Sequence, residues 1–173
     1  MLEAAIFVIF PFCMLFAAIS DALSMTIANR VSLVLVAAFA VIAPLTGMDW
    51  ATYGMHFAAA GMVLVVAFGI FAIGAMGGGD AKLLASTALW MGFTPLLLQY
   101  VVLSAVAGGA LTLAILSYRS SALAVYTGNN RFLRHFADGK AGIPYGVALG
   151  GAGLMLYPQT EPMLWALARF AAQ

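Results

Sequence analysis

The sequence predicts an all-α, polytopic membrane protein, and three observations lead to that class. Apolar residues make up 65% of the 173-residue chain and charged residues only 8%. Mean hydropathy is +1.07, whereas a soluble domain carries roughly 25% charged residues to wet its surface. The seven basic and six acidic residues are spaced so that the gaps between them have the length of membrane crossings. A body of this composition is solvated mostly by lipid, and its length sets the expectation of one domain over residues 1–173.

The elements follow from those gaps. The chain is free of charge from Ala4 to Ser20 and from Val31 to Met48, and each stretch meets the roughly 17 to 20 residues that a hydrocarbon core requires. Between Asp49 and Asp80 the only basic or acidic side chain is His56, and Tyr53 to Ala75 is the third helix. Leu83 to Tyr118 is too long for one span. It divides at Thr94 and Pro95, because proline disfavours helix at the residue before it and has no N–H to give. A short fourth helix over 80–93 and a full fifth over 95–117 result. The last uncharged stretch, Ala141 to Thr160, predicts a sixth helix over 143–158 that Pro158 ends, with a polar loop at 118–142. Met1, Leu2 and Glu3 lack the basic start of a signal peptide, so the first helix is expected to stay in the mature protein.

Lys and Arg set the orientation. Arg30, Lys82, Arg119, Arg131, Arg134 and Lys140 fall on the odd-numbered connections, and only Arg169 falls opposite. Those connections are therefore expected in the cytoplasm and both termini in the periplasm, with Trp50, Tyr53, Tyr157 and Trp165 as an outer aromatic belt. The basic loop reads as positive-inside anchoring; contact with substrate or anionic head groups is the alternative. A net charge of +1 without a basic cluster among stacking aromatics gives no indication of nucleic acid. The single cysteine, Cys13, excludes an internal disulfide and a cysteine-built zinc site. His56 and His135 lie far apart by topology, so neither a metal cluster nor a histidine-activated nucleophile is expected, and no cofactor is implied.

Two acids stand out. Asp21 ends the first helix and Asp80 starts the fourth, and a topology derived from basic residues alone puts both on the cytoplasmic face at similar depth. An ionisable group at a membrane helix end is a functional candidate. Two carboxyls a few ångströms apart share a proton, so that one serves as base and the other as acid. The plainer alternative is that Asp80 only caps its helix and Asp21 only ends one. Context weighs against it. Gly77, Gly78 and Gly79 precede Asp80 and strip the backbone of side chains, leaving room for a second chain. The 14-residue helix that follows spans about 21 Å against a core of roughly 30 Å, so its start lies below the surface beside a wet cavity. From the helix dipoles, Asp80 at an N-terminus is the expected resting base and Asp21 near a C-terminus the resting acid.

Gly77-Gly78-Gly79-Asp80 fits the Gly-x-Gly-Asp signature of intramembrane aspartyl proteases. The longer string Gly-Gly-Gly-Asp-Ala-Lys-Leu-Leu, with Leu89, Trp90, Met91 and Gly92, resembles type IV prepilin peptidases more specifically. Asp21, followed by Asn29 eight positions on, is similar to the family's first aspartate motif. Pro144-Tyr145-Gly146 is similar to its Pro-Phe-Gly segment. Ala28 replaces a common proline and Tyr145 a common phenylalanine, and the former predicts a looser turn after the first helix.

The resemblance implies Asp21 and Asp80 as the catalytic pair. It implies Gly77, Gly78, Gly79, Pro144, Tyr145 and Gly146 as substrate contacts, with Asn29 and Lys82 in support. Lys82 points about 200° away from Asp80 on a helix, which reads as an interfacial anchor, and Asn29 would tie the first turn to the site. The resemblance also implies prepilin and pseudopilin substrates cut after a glycine in a bacterial inner membrane. It points to the short, peptidase-only form associated with tight-adherence (Flp) pili, without methyltransferase activity. A proton-coupled transporter and a structural subunit of a secretion machine are the competing classes; the former predicts acids at the bilayer midplane and repeat symmetry, neither of which is visible.

Overall fold

The computed structural model describes residues 1–121, 124 and 142–172. Arg131, Arg134, His135, Asp138 and Lys140 of the polar loop lie outside the described residues. Seven α-helices and no strand occur among those described: α1 (Leu2–Ser24), α2 (Asn29–Leu45), α3 (Trp50–Ala72), α4 (Gly78–Met91), α5 (Pro95–Arg119), α6 (Tyr145–Leu156) and α7 (Glu161–Ala171). A 3-10 turn, Tyr157–Gln159, joins the last two. By length and composition α1, α3 and α5 are able to cross a membrane, and α2 is a shorter apolar helix. The protein is a multi-pass membrane protein.

Helix ends are set by local chemistry. The Asp49 carboxylate accepts the N–H groups of Ala51 and Thr52 at 3.0 Å and starts α3 three residues earlier than hydropathy predicts. Gly74 ends that helix at φ +76°, a conformation strained for any side chain. Thr94 accepts from Leu96 N–H at 3.2 Å with Pro95 in the first turn, as the division of the long apolar interval requires.

The centre of the bundle is α4. It packs on α2, α3, α5 and α6, and every residue from Ala85 to Met91 is buried. Protein rather than lipid therefore surrounds a helix too short to span. At the end remote from Asp80, Trp90 donates to the Leu35 carbonyl at 3.1 Å and meets Phe10 and Phe39 edge-on at 5.2 and 5.5 Å. Tyr157 stacks on Phe10 at 4.2 Å and donates to the Ile6 carbonyl at 2.6 Å. At 2% exposure it is core, not a member of the aromatic belt; only the other three belt residues retain surface.

Against α1 the sixth helix presents Gly146, Gly150 and Gly153 on one stripe. A β-carbon at Gly150 would lie 2.9 Å from the Met14 carbonyl oxygen, and one at Gly153 would lie 2.5 Å from Met14 Cε. Small residues at this spacing bring two backbones together where no hydrophobic force drives helices to associate in lipid. α7 is absent from the hydropathy reading, which stops at Pro158. Its signals were present: Glu161 and Pro162 in the first turn and Arg169 in the last. It lies against α1, with Phe170 edge-on to Phe7 at 6.3 Å.

Candidate active site

Asp21 reaches the site from the last turn of α1 and is 5% exposed. The helix is closed by Met25 in the left-handed region, φ 53°, whose N–H bonds the Asp21 carbonyl at 2.8 Å. Few non-glycine residues adopt this conformation, and here it is pinned from both sides. Ser20 Oγ donates to the Thr26 carbonyl at 2.9 Å, Ser24 Oγ to the Ser20 carbonyl at 2.7 Å, and the Ser24 and Thr26 hydroxyls bond at 2.8 Å. These hydroxyl bonds span residues 20–26 and hold the turn ahead of Ala28.

Asp80 is the third residue of α4, half-buried, presented by the 73–77 turn. Both carboxyls line one cavity of about 730 Å³, shared with Met25, Met76, Gly77, Arg119 and Tyr145. The ends of α1, α3 and α5 and the starts of α4 and α6 thus meet at the same end of the bundle. Acids from two separate helices face a common space.

Asp21 has a partner that no sequence spacing indicates. Its Oδ2 accepts the N–H of Gly146 at 2.7 Å, 125 residues further on. A β-carbon at Gly146 would stand 2.8 Å from that same oxygen and 2.7 Å from Ile27 Cδ1, so only glycine lets donor and acceptor meet. Gly146 is the second residue of α6, and its N–H is one of the free donors of a helix N-terminus. Each acid therefore sits at the N-terminal end of a helix, Asp80 on its own and Asp21 on α6. Because α6 turns its N-terminus toward Asp21, the helix dipoles do not separate a resting base from a resting acid.

The expected substrate contacts divide. Gly77 and Tyr145 line the cavity. Gly78 lies against the Phe71 ring, 3.3 Å from where its β-carbon would be, and Gly79 against Ile27 Cβ at 3.2 Å. Gly146 is taken up by Asp21, and Pro144 is buried ahead of α6. The close approach that consecutive glycines permit is used largely by the chain's own neighbours. A β-carbon on Gly77 itself would come within 2.7 Å of Asp80 Oδ2, so this residue sets where the carboxyl rests.

Lys82 Nζ donates to Asn29 Oδ1 at 3.0 Å. Both line a separate cavity of about 550 Å³ between α2, α3 and α4. Lys82 faces away from Asp80 as its helical angle predicts, and Asn29 ties α2 to Lys82 rather than to the acids. His56 is buried, with Nδ1 on the Leu89 carbonyl at 2.7 Å and its ring on Phe39 at 5.0 Å, a packing role. Arg119, read from sequence as positive-inside anchoring with substrate contact as the alternative, lines the cavity and donates to the Gly142 carbonyl at 3.1 Å. Its place at the end of the fifth helix, on the side of both acids, was the available signal.

A bundle with several membrane-length apolar helices and two carboxyls in one cavity defines a multi-pass membrane protein with an acidic polar site. The chain belongs to the type IV leader peptidase family, which it matches over residues 8–113; it is a peptidase of the type that acts on prepilins. The match takes in Asp21, Asn29, Gly77 to Asp80 and Lys82 and ends before α6, so Tyr145 and Gly146 join the site through tertiary structure. Comparison with curated proteins and with solved structures gives no match.

Proposed function

We propose that the chain is an aspartic-type endopeptidase that removes the leader of Flp-type prepilins and pseudopilins at the cytoplasmic face of the inner membrane. Asp21 and Asp80 hold one water between them. The ionised carboxyl takes a proton from the water as its oxygen attacks the scissile carbonyl carbon, while the protonated carboxyl hydrogen-bonds the carbonyl oxygen. Collapse of the tetrahedral intermediate breaks the C–N bond, and the departing nitrogen takes up a proton from the pair. No side-chain nucleophile enters.

The observation that carries this reading is the shared cavity: two acids, from α1 and α4, at one end of the bundle. Six crossings with both termini outside agree with the basic residues, and α4 then crosses inside a protein sheath. Transport by these acids would place them at mid-depth, whereas both lie at helix ends.

The test is incubation of the purified protein in liposomes with a pilin precursor. Leader removal that disappears in both Asp21→Ala and Asp80→Ala is the expected result. Proton flux without cleavage would establish the transporter instead, and neither activity in the folded protein would favour the structural subunit.

A further inference from the structure

One side chain touches the backbone beside both acids. Ile27 lies in the turn between α1 and α2, half-buried and packed against the core. A β-carbon on Gly79, the residue before Asp80, would stand 3.2 Å from Ile27 Cβ and 3.6 Å from its main-chain nitrogen and oxygen. A β-carbon on Gly146, whose N–H bonds Asp21, would stand 2.7 Å from Ile27 Cδ1. The Cβ end of this isoleucine thus rests on the start of α4 and its Cδ1 end on the start of α6. Those two helix starts present the acids: α4 carries Asp80, and α6 holds the Asp21 carboxylate through Gly146. Ile27 itself does not line the acid cavity.

Each part that meets at Ile27 is held independently. Ahead of it, Met25 turns the chain at φ 53°, and the Thr26 carbonyl and hydroxyl are bonded to Ser20 and Ser24. Behind it, Asn29 Oδ1 accepts from Lys82 of α4, so the turn is fastened to α4 at two points, Gly79 and Lys82. The start of α6 is fixed on its other side by Tyr145, whose hydroxyl donates to the Ser104 carbonyl of α5 at 3.1 Å. The Tyr145 ring rests where Gly108 lacks a side chain, since a β-carbon there would overlap it. Branching at Cβ restricts the rotamers of isoleucine, which makes it a stiff insert between two fixed walls.

We propose that Ile27 is a positioning residue for the acid pair: it keeps the start of α4 apart from the start of α6 and so fixes the spacing of Asp80 and Asp21. The assignment rests on the peptidase function proposed above. Two carboxyls that share one water work only at a set separation, and a misplacement of about 1 Å can cost roughly 100-fold in rate. It also gives the pinned turn a task, since the uncommon conformation of Met25 delivers the side chain two residues on into the gap between two helices.

Kinetics of the full-length protein in liposomes with a pilin precursor test it. Cleavage by the wild type is measured first; its absence sinks the peptidase reading and the spacer with it. Ile27→Val removes Cδ1, the atom against Gly146, and leaves Cβ against Gly79. It is expected to lower kcat per folded molecule by about tenfold, with KM within about twofold of wild type. Ile27→Leu keeps a δ-carbon and is expected to hold kcat within about threefold of wild type. Thermal unfolding of each variant is followed alongside. A side chain that only filled space would lower the unfolding temperature and leave kcat alone, so wild-type kcat in Ile27→Val would overturn the spacer while leaving the peptidase reading intact. A raised KM with unchanged kcat would do the same, by making Ile27 a substrate contact, and so would an Ile27→Leu protein no faster than Ile27→Val. Gly79→Ala adds a methyl group at the opposite end of the spacer. The same fall in kcat at near-constant KM is expected, and a folded Gly79→Ala protein with wild-type kcat would count against the proposal.

Discussion

The two ends of α4 differ in almost every respect. Around Trp90 the space is filled: an indole hydrogen bond, three aromatic neighbours and a buried histidine on the Leu89 carbonyl leave nothing exposed. Around Asp80, ten residues away and about 15 Å along the helix, glycines, a left-handed methionine and a cavity of about 730 Å³ take over. A lipid-embedded fold gains little from hydrophobic burial between helices, so close packing at one end holds α4 in place while the other end stays open enough for water. The contrast teaches that α4 serves as a post, anchored in aromatics and carrying an acid at its tip.

Breaking the open end should affect chemistry alone. Asp80→Asn and Asp21→Asn are each expected to lower leader cleavage by roughly 10³-fold or more without shifting thermal unfolding in detergent. An Asp21→Asn protein that cleaves at the wild-type rate would end the two-carboxyl mechanism. Breaking the closed end should do the reverse. Trp90→Ala empties the largest fully buried side chain and should cost about 3 to 5 kcal/mol by denaturant titration, while turnover per folded molecule stays near wild type.

The boundary between the two behaviours is sharpened by Gly146→Ala. Its methyl group would displace the Asp21 carboxylate and Ile27 together, so kcat should fall by about 10 to 100-fold with a stability loss of about 1 to 3 kcal/mol. A fall in stability with unchanged kcat would show that the Gly146 bond holds α6 to α1 and nothing more. The smallest effect is expected from Lys82→Met. The bond to Asn29 is exposed and worth about 1 kcal/mol or less, so cleavage should stay within about threefold of wild type. Loss of activity in a folded Lys82→Met protein would bring this residue back to the acids.

Legibility followed the range of the interaction. The Thr94–Pro95 break, the cap at Asp49 and the shortness of α4 are all properties of a few adjacent residues, and each could be read or recovered from the string. Asp21 and Asp80 were legible because charge is rare here and each acid is an exception to its surroundings. Gly146 as the donor to Asp21 was not, nor was Gly79 as a seat for Ile27. Tyr157 was misplaced for a related reason: at a helix end near the surface it reads as a belt residue, and only the position of Phe10 from another helix makes it core.

In lipid, backbone groups must bond within their own segment, so apolar length and charge spacing were enough to establish from sequence alone an α-helical membrane protein and its acidic candidates. The medium that makes the helices legible conceals their arrangement. Where lipid and protein interior are equally apolar, no stripe of polarity marks the inward face of a helix. Which glycine meets which carboxylate was therefore decided by steric fit between helices distant in the chain, through the contacts of α6 with α1 and of Tyr145 with α5.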